Sequence, residues 1–387
     1  MKKKIAILGS TGSIGNTLLN LITKEKKYFD VQLLTANSDY KTLLKQAKKF
    51  KVKNLIITNK KSFEILKIKT KNLDVKIFNN FENLDKIFKL KIDYVMSSIM
   101  GIDGLEPTIK IIKYTNKIVI ANKESIICGW NLINKELKKN KTEFIPVDSE
   151  HFSLWFGLQN LKVNNIEKIF ITASGGPFYK ISLNQFKNIR TSQALKHPNW
   201  KMGKKISIDS ATMINKIYEV IEARNIFNIP YKNIEILIHP KSYIHAILKF
   251  NNGLIKIIAH DTTMEIPIFN SIYGNMDKKI SSKVLDISKL NNLKLSDIDV
   301  KKFPLTKIIS TLPKKNSLFE TVIVSANDEL VNLFLKRKIK YNDISTMLLK
   351  IINKKEFIIF KNILPKKVSD IVNLNKYVRF KINSMGV

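Results

Sequence analysis

The sequence predicts an α/β fold: an N-terminal doubly wound, Rossmann-like and mostly parallel sheet, an α+β middle domain, and a C-terminal helical domain. Three observations predict it. Apolar runs of strand length alternate with amphipathic helical stretches over residues 1–140. A glycine-rich turn separates the first such run from the first helical stretch. Beyond Phe303 the apolar spacing becomes mainly helical. The boundaries expected from these shifts are 1–140, 141–275, a polar connector over 276–302, and 303–387.

Taken in order, the first-domain strands are expected at Ile5–Leu8, Val31–Ala36, Leu55–Thr58, Tyr94–Ile99, Ile118–Ala121 and Phe144–Val147. Helical periodicity lies between several of them, at Ile14–Ile22, Lys41–Phe50 and Gly129–Lys139. The second region carries strand patterns at Lys168–Ala173, Glu235–His239, Ile244–Phe250 and Leu254–Ala259. Its helices are expected at Leu183–Ile189 and Asn215–Phe227, and turn chemistry marks Ser174-Gly175-Gly176-Pro177 and Asn251-Asn252-Gly253. The last region offers helices at Leu318–Lys336, Ile344–Asn353 and Val368–Asn375. No repeat is present.

A chain of 387 residues can bury two or three cores, and 44% hydrophobic content is ordinary for a globular protein. Cys128 is the one cysteine, which excludes an internal disulfide framework and fits a reducing cytoplasm. The basic start Met1-Lys2-Lys3-Lys4 precedes an apolar run too short for a signal peptide. No apolar stretch reaches bilayer length, so no membrane partner is expected. The formal charge is +35, yet the lysines are spread over almost every segment and are not interleaved with aromatics. That distribution predicts a solvated lysine coat that steers anionic substrates, with no specific nucleic-acid partner.

Gly9-Ser10-Thr11-Gly12-Ser13-Ile14-Gly15 lies between strand and helix, where backbone can approach a pyrophosphate and the helix N-terminus favours its charge. The spacing departs from GxGxxG, so a plain strand–helix turn is the competing reading. The second strand ends Thr35-Ala36-Asn37-Ser38-Asp39 with no acid at its tip, which favours NADP over NAD. Asn122-Lys123-Glu124-Ser125 follows another strand, where Lys123 can donate to substrate oxygens or the four residues can simply start a helix. Asp148 and Glu150 close an apolar strand; if extended they share a face and suit a hard cation, and otherwise they cap a helix. Glu219 adds a third carboxylate on a helix, with Asn215 and Lys216 on the same face. Ser174-Gly175-Gly176-Pro177 can hold an anion or be a plain turn. The Pro- and Gly-punctuated segment 196–204, with Trp200, can form a lid. His239 and His245 lie on apolar strands and read as structural.

The set Gly-Ser-Thr-Gly-Ser-Ile-Gly (9–15), Ala-Asn-Lys-Glu-Ser (121–125), Pro-Val-Asp-Ser-Glu-His (146–151), Ser-Gly-Gly-Pro-Phe (174–178), His-Pro-Asn-Trp (197–200) and Lys-Ile-Ser-Ile-Asp-Ser-Ala-Thr-Met (205–213) resembles the 1-deoxy-D-xylulose 5-phosphate reductoisomerase family. The resemblance runs in order along nearly the whole chain, densely from 121 to 245 and thinly after about 255. It implies a cytoplasmic, homodimeric, NADPH-dependent enzyme with a Mg²⁺, Mn²⁺ or Co²⁺ ion, a sugar-phosphate substrate, and a catalytic middle domain. By resemblance Asp148, Glu150 and Glu219 bind the metal and, with Lys123, form the catalytic set. Lys123, Ser149 and Glu150 contact the reacting end of the substrate, Ser174, His197, Ser210, Asn215 and Lys216 hold the remainder, chiefly its phosphate, and Glu219 also binds substrate. Thr11, Gly12, Ser13, Ile14, Asn37, Asn122, Glu124 and Gly203 line the NADPH site, and Trp200 and Met202 belong to the lid. The chain departs from the family pattern at Asn37-Ser38-Asp39, Ile217-Tyr218, His260–Glu265 and Ser325–Glu329. Two other readings compete: an NADP-linked dehydrogenase of another phosphorylated substrate, and a basic nucleic-acid-binding protein that has lost catalysis.

Overall fold

The alternating apolar runs form strands β1 (Lys3–Leu8), β2 (Phe29–Ala36), β3 (Asn54–Ile57), β4 (Lys76–Phe78), β5 (Tyr94–Ser97), β6 (Lys117–Ile120) and β7 (Glu143–Pro146). They pair in parallel in the order β4-β3-β2-β1-β5-β6-β7, a doubly wound sheet. Ile5 to Leu8 are fully buried, as expected of a central strand covered on both faces. The strand order reverses beside β1, so the glycine turn after Leu8 lies at the switch point where α/β sheets bind ligands.

The computed structural model describes residues 2–161, 163–200, 202–274 and 278–385. Lys201 of the 196–204 segment, residues 275–277 at the expected domain boundary, Met1 of the basic start, Lys162, and the last two residues lie outside the described residues. The chain divides into two units. The first comprises Met1–Ser125, Asn131–Asp148 and Met264–Ile280; the second comprises Ile126–Trp130, Ser149–Thr263 and Ser281–Val387.

Within the first unit, the helix Glu265–Tyr273 packs on the helix Ser13–Thr23, and the Tyr94 hydroxyl pairs with Ser271 Oγ at 2.9 Å. The second unit is built on β8 (Ile166–Ala173), β9 (Ile234–Ile238), β10 (Ile244–Phe250) and β11 (Ile255–Ala259), in the order β11-β10-β8-β9. Only β8 and β9 are parallel among these pairings. The helix Ser149–Leu158 packs on β10 and β11 through Gly157, where a Cβ would come within 2.6 Å of Leu248 Cδ1. The helix Ile214–Phe227 packs on β8 and β9, and Val220 and Ala223 enter the same core as Leu154, Ile169 and Ala246. Both candidate carboxylate helices of this unit are thus seated on one sheet. Farther along run the helices Leu318–Leu335, Tyr341–Ile352 and Val368–Asn383.

Several local expectations need correction. Strand β4 was not expected, because three residues with an exposed start carry no usable apolar pattern. Residues Leu183–Asn188 form a 3₁₀ segment where an α-helix was expected. The helix Ser149–Leu158 was expected only as the capping alternative at Asp148 and Glu150, and those at Lys204–Ala211 and Glu265–Tyr273 were not expected. The first is mostly buried and carries apolar residues on both its buried and its exposed face, as at Phe156, so it shows no amphipathic period. Among the described residues no helix is long and apolar enough to cross a membrane.

Candidate active site

Gly9 turns the chain after β1 at φ 81°, and a Cβ there would lie 2.9 Å from Ser98 O. A Cβ on Gly15 would lie 2.5 Å from Ser10 Cα, so this glycine lets helix and turn touch. Gly12 differs, since its Cβ would meet nothing nearer than Gly9 O at 3.4 Å. Gly12 is the N-cap of the helix Ser13–Thr23, and no side chain caps its first turn. Unpaired N–H groups at the positive end of a helix suit a phosphate. A buried network fixes the turn from behind. Gly9 N–H donates to Thr35 Oγ1 at 2.9 Å, Ser10 Oγ donates to Gln46 Oε1 at 2.8 Å, and Gln46 Nε2 donates to Ser10 O and Asn16 Oδ1, both at 2.9 Å.

Asn37 is exposed at the tip of β2, where its Oδ1 accepts from Thr58 Oγ1 at 3.0 Å. Asp39 caps the helix Tyr40–Phe50 by accepting from Thr42 N–H at 3.0 Å, which explains an acid three residues beyond the end of β2. Asn122 is buried and caps the helix Lys123–Asn140 through Ser125 N–H, while its amide donates to Gly101 O at 2.8 Å and to Ile99 O. This candidate cofactor residue thus also fixes the 99–101 loop. Glu124 lies in the first turn of that helix. Lys123 is buried and donates to Asp148 Oδ2 at 2.8 Å, so these two candidates meet inside the first unit.

The pair Asp148 and Glu150 is not extended. Asp148 precedes the helix Ser149–Leu158 and Glu150 occupies its first turn, a favourable place for an acid. Glu150 and Glu219 bring carboxylate oxygens within 4.8 Å of each other, and Lys216 Nζ reaches both at 2.5 Å. Ser149 Oγ donates to Glu150 Oε2 at 2.5 Å, and Asn215 Nδ2 donates to Glu219 Oε1 at 2.5 Å. Burial acts to lower the Lys216 pKa, but Glu150 and Glu219 outweigh it and hold the ammonium above its ordinary value. The donor set is all oxygen, which suits a hard divalent cation.

The helices Lys204–Ala211 and Ile214–Phe227 meet at Met213, whose φ of 65° puts a non-glycine residue in the left-handed region. That turn brings the helix of Ser210 against the helix of Asn215 and Lys216. Gly176 sits so close that a Cβ would lie 2.9 Å from Ser210 O, which packs the Ser174–Pro177 turn on the same place. His197 Nδ1 accepts from the backbone N–H of Asn199 at 3.1 Å and of Trp200 at 3.0 Å. The ring proton is therefore assigned to Nε2, which donates to Ser174 Oγ at 3.0 Å. Gly176 N–H also donates to that oxygen at 3.1 Å. With both acceptor positions taken, the Ser174 hydroxyl has its hydrogen left to donate to a further oxygen. Gly203, the remaining candidate for the cofactor, is the N-cap of the helix Lys204–Ala211, and among the described residues nothing lies within 4 Å of its Cβ position. It belongs to the second unit, whereas Thr11–Ile14, Asn37, Asn122 and Glu124 belong to the first.

Comparison with family models matches residues 5–129 to the 1-deoxy-D-xylulose 5-phosphate reductoisomerase model, and residues 144–227 and 261–381 to two C-terminal domain models of the same enzyme. A protein of that description from Pelagibacter ubique (strain HTCC1062) is 62% identical over 387 residues, covering 100% of both chains. The chain belongs to the 1-deoxy-D-xylulose 5-phosphate reductoisomerase family. Another relative of the same description, from Wolbachia pipientis wMel, is 39% identical over 88% of this chain and 87% of its own. Among solved structures, a DOX-P reductoisomerase in complex with NADPH, fosmidomycin and magnesium superposes with a TM-score of 0.89. It is 30% identical and covers 99% of this chain and 98% of its own. The Zymomonas mobilis enzyme in complex with NADPH gives a TM-score of 0.88 at 28% identity, over 100% and 99% of the two chains.

Several contacts escaped the sequence reading. His151 is fully buried and its Nε2 donates to the Glu219 backbone oxygen at 2.8 Å; its place directly after Glu150 was the available signal. His245 and His260 stack with ring centroids 3.8 Å apart, and Trp200 meets His245 edge-on at 6.3 Å. His245 is thus a packing partner of the 196–204 segment as well as a strand residue. Asn199 Nδ2 donates to Pro240 O at 2.7 Å and Ser242 Oγ at 2.8 Å, which pins that segment.

Burial, with the nearby positive charge of Lys216, pushes the His197 imidazole down to about 4. The folded pKa is depressed, so folding favours the neutral ring. Its contribution to stability is complete above the ordinary value of about 6.5 and declines as pH falls toward 4. An NMR titration of the imidazole is expected to show a neutral, Nε2-protonated ring throughout pH 5–8. A midpoint near 6.5 would show that Nδ1 is not held by the Asn199 and Trp200 amides.

Proposed function

We propose that this chain converts 1-deoxy-D-xylulose 5-phosphate to 2-C-methyl-D-erythritol 4-phosphate, with NADPH as reductant and Mg²⁺, Mn²⁺ or Co²⁺ as the ion. The observation that carries the reading is the pairing of Glu150 and Glu219 around Lys216, beside an oriented Ser174 hydroxyl. Asp148, Glu150 and Glu219 hold the cation, which supplies Lewis-acid polarisation of the substrate's ketone and neighbouring hydroxyl. Lys123 and Ser149 orient that reacting end. Ser174, Ser210, Asn215, Lys216 and His197 bind the remainder, chiefly the phosphate, so binding energy remote from the reacting carbons helps to position them. The turn Thr11–Ile14 seats the NADPH pyrophosphate, and NADPH supplies hydride to the rearranged aldehyde. Asn37, Asn122, Glu124 and Gly203 line the rest of that site, and the segment 196–204 excludes water.

In this reading residues 1–140 serve the nucleotide, 141–275 the metal and substrate, 276–302 the connection, and 303–387 the helical support. The enzyme works in the cytoplasm as a homodimer. The test is NADPH oxidation with deoxyxylulose phosphate, with and without EDTA. Oxidation abolished by EDTA and restored by Mn²⁺ is expected. EDTA-insensitive oxidation would favour a simple dehydrogenase, which needs no three-carboxylate site.

A further inference from the structure

Lys216 is buried, and its ammonium makes two ion pairs of 2.5 Å, one with Glu150 Oε1 and one with Glu219 Oε2. Each of those carboxylates has its other oxygen held by a neutral donor, from Ser149 and Asn215 respectively. The ammonium therefore occupies the two oxygens that the neutral donors leave to a divalent cation. Two positive charges cannot share these two oxygens at contact distance, because their repulsion in a buried site is large.

We propose that Lys216 is an internal counter-ion of the carboxylate site: it competes with the divalent cation for Glu150 and Glu219, and is released toward the anionic end of the ligand when the cation binds. The inference rests on the reading of Asp148, Glu150 and Glu219 as the cation site. It assigns Lys216 two successive partners, carboxylates and then a phosphate. The side chain can make this exchange because an ammonium is a point charge on a flexible stem and needs no fixed bonding plane. Coupling follows. A phosphate group that holds the ammonium away removes the competitor, so phosphate and cation each tighten the binding of the other by the same factor.

The experiment measures Mn²⁺ affinity by electron paramagnetic resonance on the full chain, without NADPH or turnover. Wild type, Lys216→Met and Lys216→Arg are compared, each with and without glycerol phosphate. Lys216→Met is expected to bind Mn²⁺ at least about tenfold more tightly than wild type and to lose the tightening by glycerol phosphate. Lys216→Arg retains a cation and should stay near wild type. Thermal unfolding supplies a second readout: Lys216→Met should be destabilised without metal and recover when Mn²⁺ is added, since the two carboxylates then regain a positive partner. Unchanged or weaker Mn²⁺ binding in Lys216→Met, with that variant still folded, overturns the proposal. If Lys216→Met does not fold, persistence of the glycerol phosphate coupling in Lys216→Gln overturns it equally. A Glu150→Gln, Glu219→Gln double variant separates the two readings. If it binds Mn²⁺ as wild type does, the cation site itself is misassigned; if it loses Mn²⁺ while Lys216→Met is unchanged, only the counter-ion role fails.

Discussion

Replacing Glu219 with Gln is expected to lower turnover by about three orders of magnitude or more while leaving NADPH affinity within about twofold. Glutamine keeps the side-chain volume and one oxygen that can accept from Asn215 Nδ2. It removes the negative charge, which a hard cation needs more than it needs a neutral oxygen. The fold should survive, because Lys216 retains its ion pair with Glu150 and His151 still holds the Glu219 backbone oxygen. The NADPH turn lies in the other unit and makes no use of Glu219. Steady-state assay and a fluorescence titration with NADPH are the two measurements. Normal turnover would remove Glu219 from the metal site, and lost NADPH binding would mean that the substitution had damaged more than that site.

Gly15→Ala and Gly12→Ala should separate the structural glycine from the ligand-facing one. At Gly15 the new methyl group falls 2.5 Å from Ser10 Cα and 2.6 Å from Gly9 O, backbone that cannot move without breaking the Thr35 and Gln46 network. A loss of about 1–3 kcal/mol in stability is expected, and NADPH binding should fall by about a hundredfold or more. At Gly12 the methyl meets nothing nearer than 3.4 Å, and φ of −75° is comfortable for alanine. Stability should change by less than about 0.5 kcal/mol, yet NADPH binding should weaken by about tenfold, because the methyl enters the space above the helix N-terminus. Calorimetry and a binding titration give both numbers. Equal stability losses in the two variants would contradict the division of roles.

Much of the fold could be read directly. The strand Ile244–Phe250 was placed with both ends correct, and β1, β2 and β5 within a few residues, because continuous apolar runs bounded by polar turns are a strong strand signal. Failures share a cause. The helix Ser149–Leu158 has buried residues on nearly every face, and Glu265–Tyr273 is short and apolar, so neither shows the alternation that marks a half-exposed helix. Leu183–Asn188 has apolar spacing compatible with an α-helix but closes as 3₁₀, with Phe186 packed on Phe178 and Phe303.

The candidate site shows the same division at the level of atoms. The residue types and their order along the chain made Asp148, Glu150, Glu219, Lys216 and Ser174 candidates, and the family resemblance supplied the roles expected of them. They could not tell whether Asp148 and Glu150 lie on a strand or a helix, nor which glycine of the turn faces a ligand. They could not show that Lys216 would span Glu150 and Glu219, since Lys216 and Glu150 are 66 positions apart in the chain. That meeting depends on two buried helices packing on one sheet through Gly157, Val220 and Ala223. Local pattern records only what a residue's near neighbours in the chain require. Packing across the sheet sets distances between far ones, and the tautomer of His197, the direction of the Ser174 proton and the partners of Lys216 all depend on those distances.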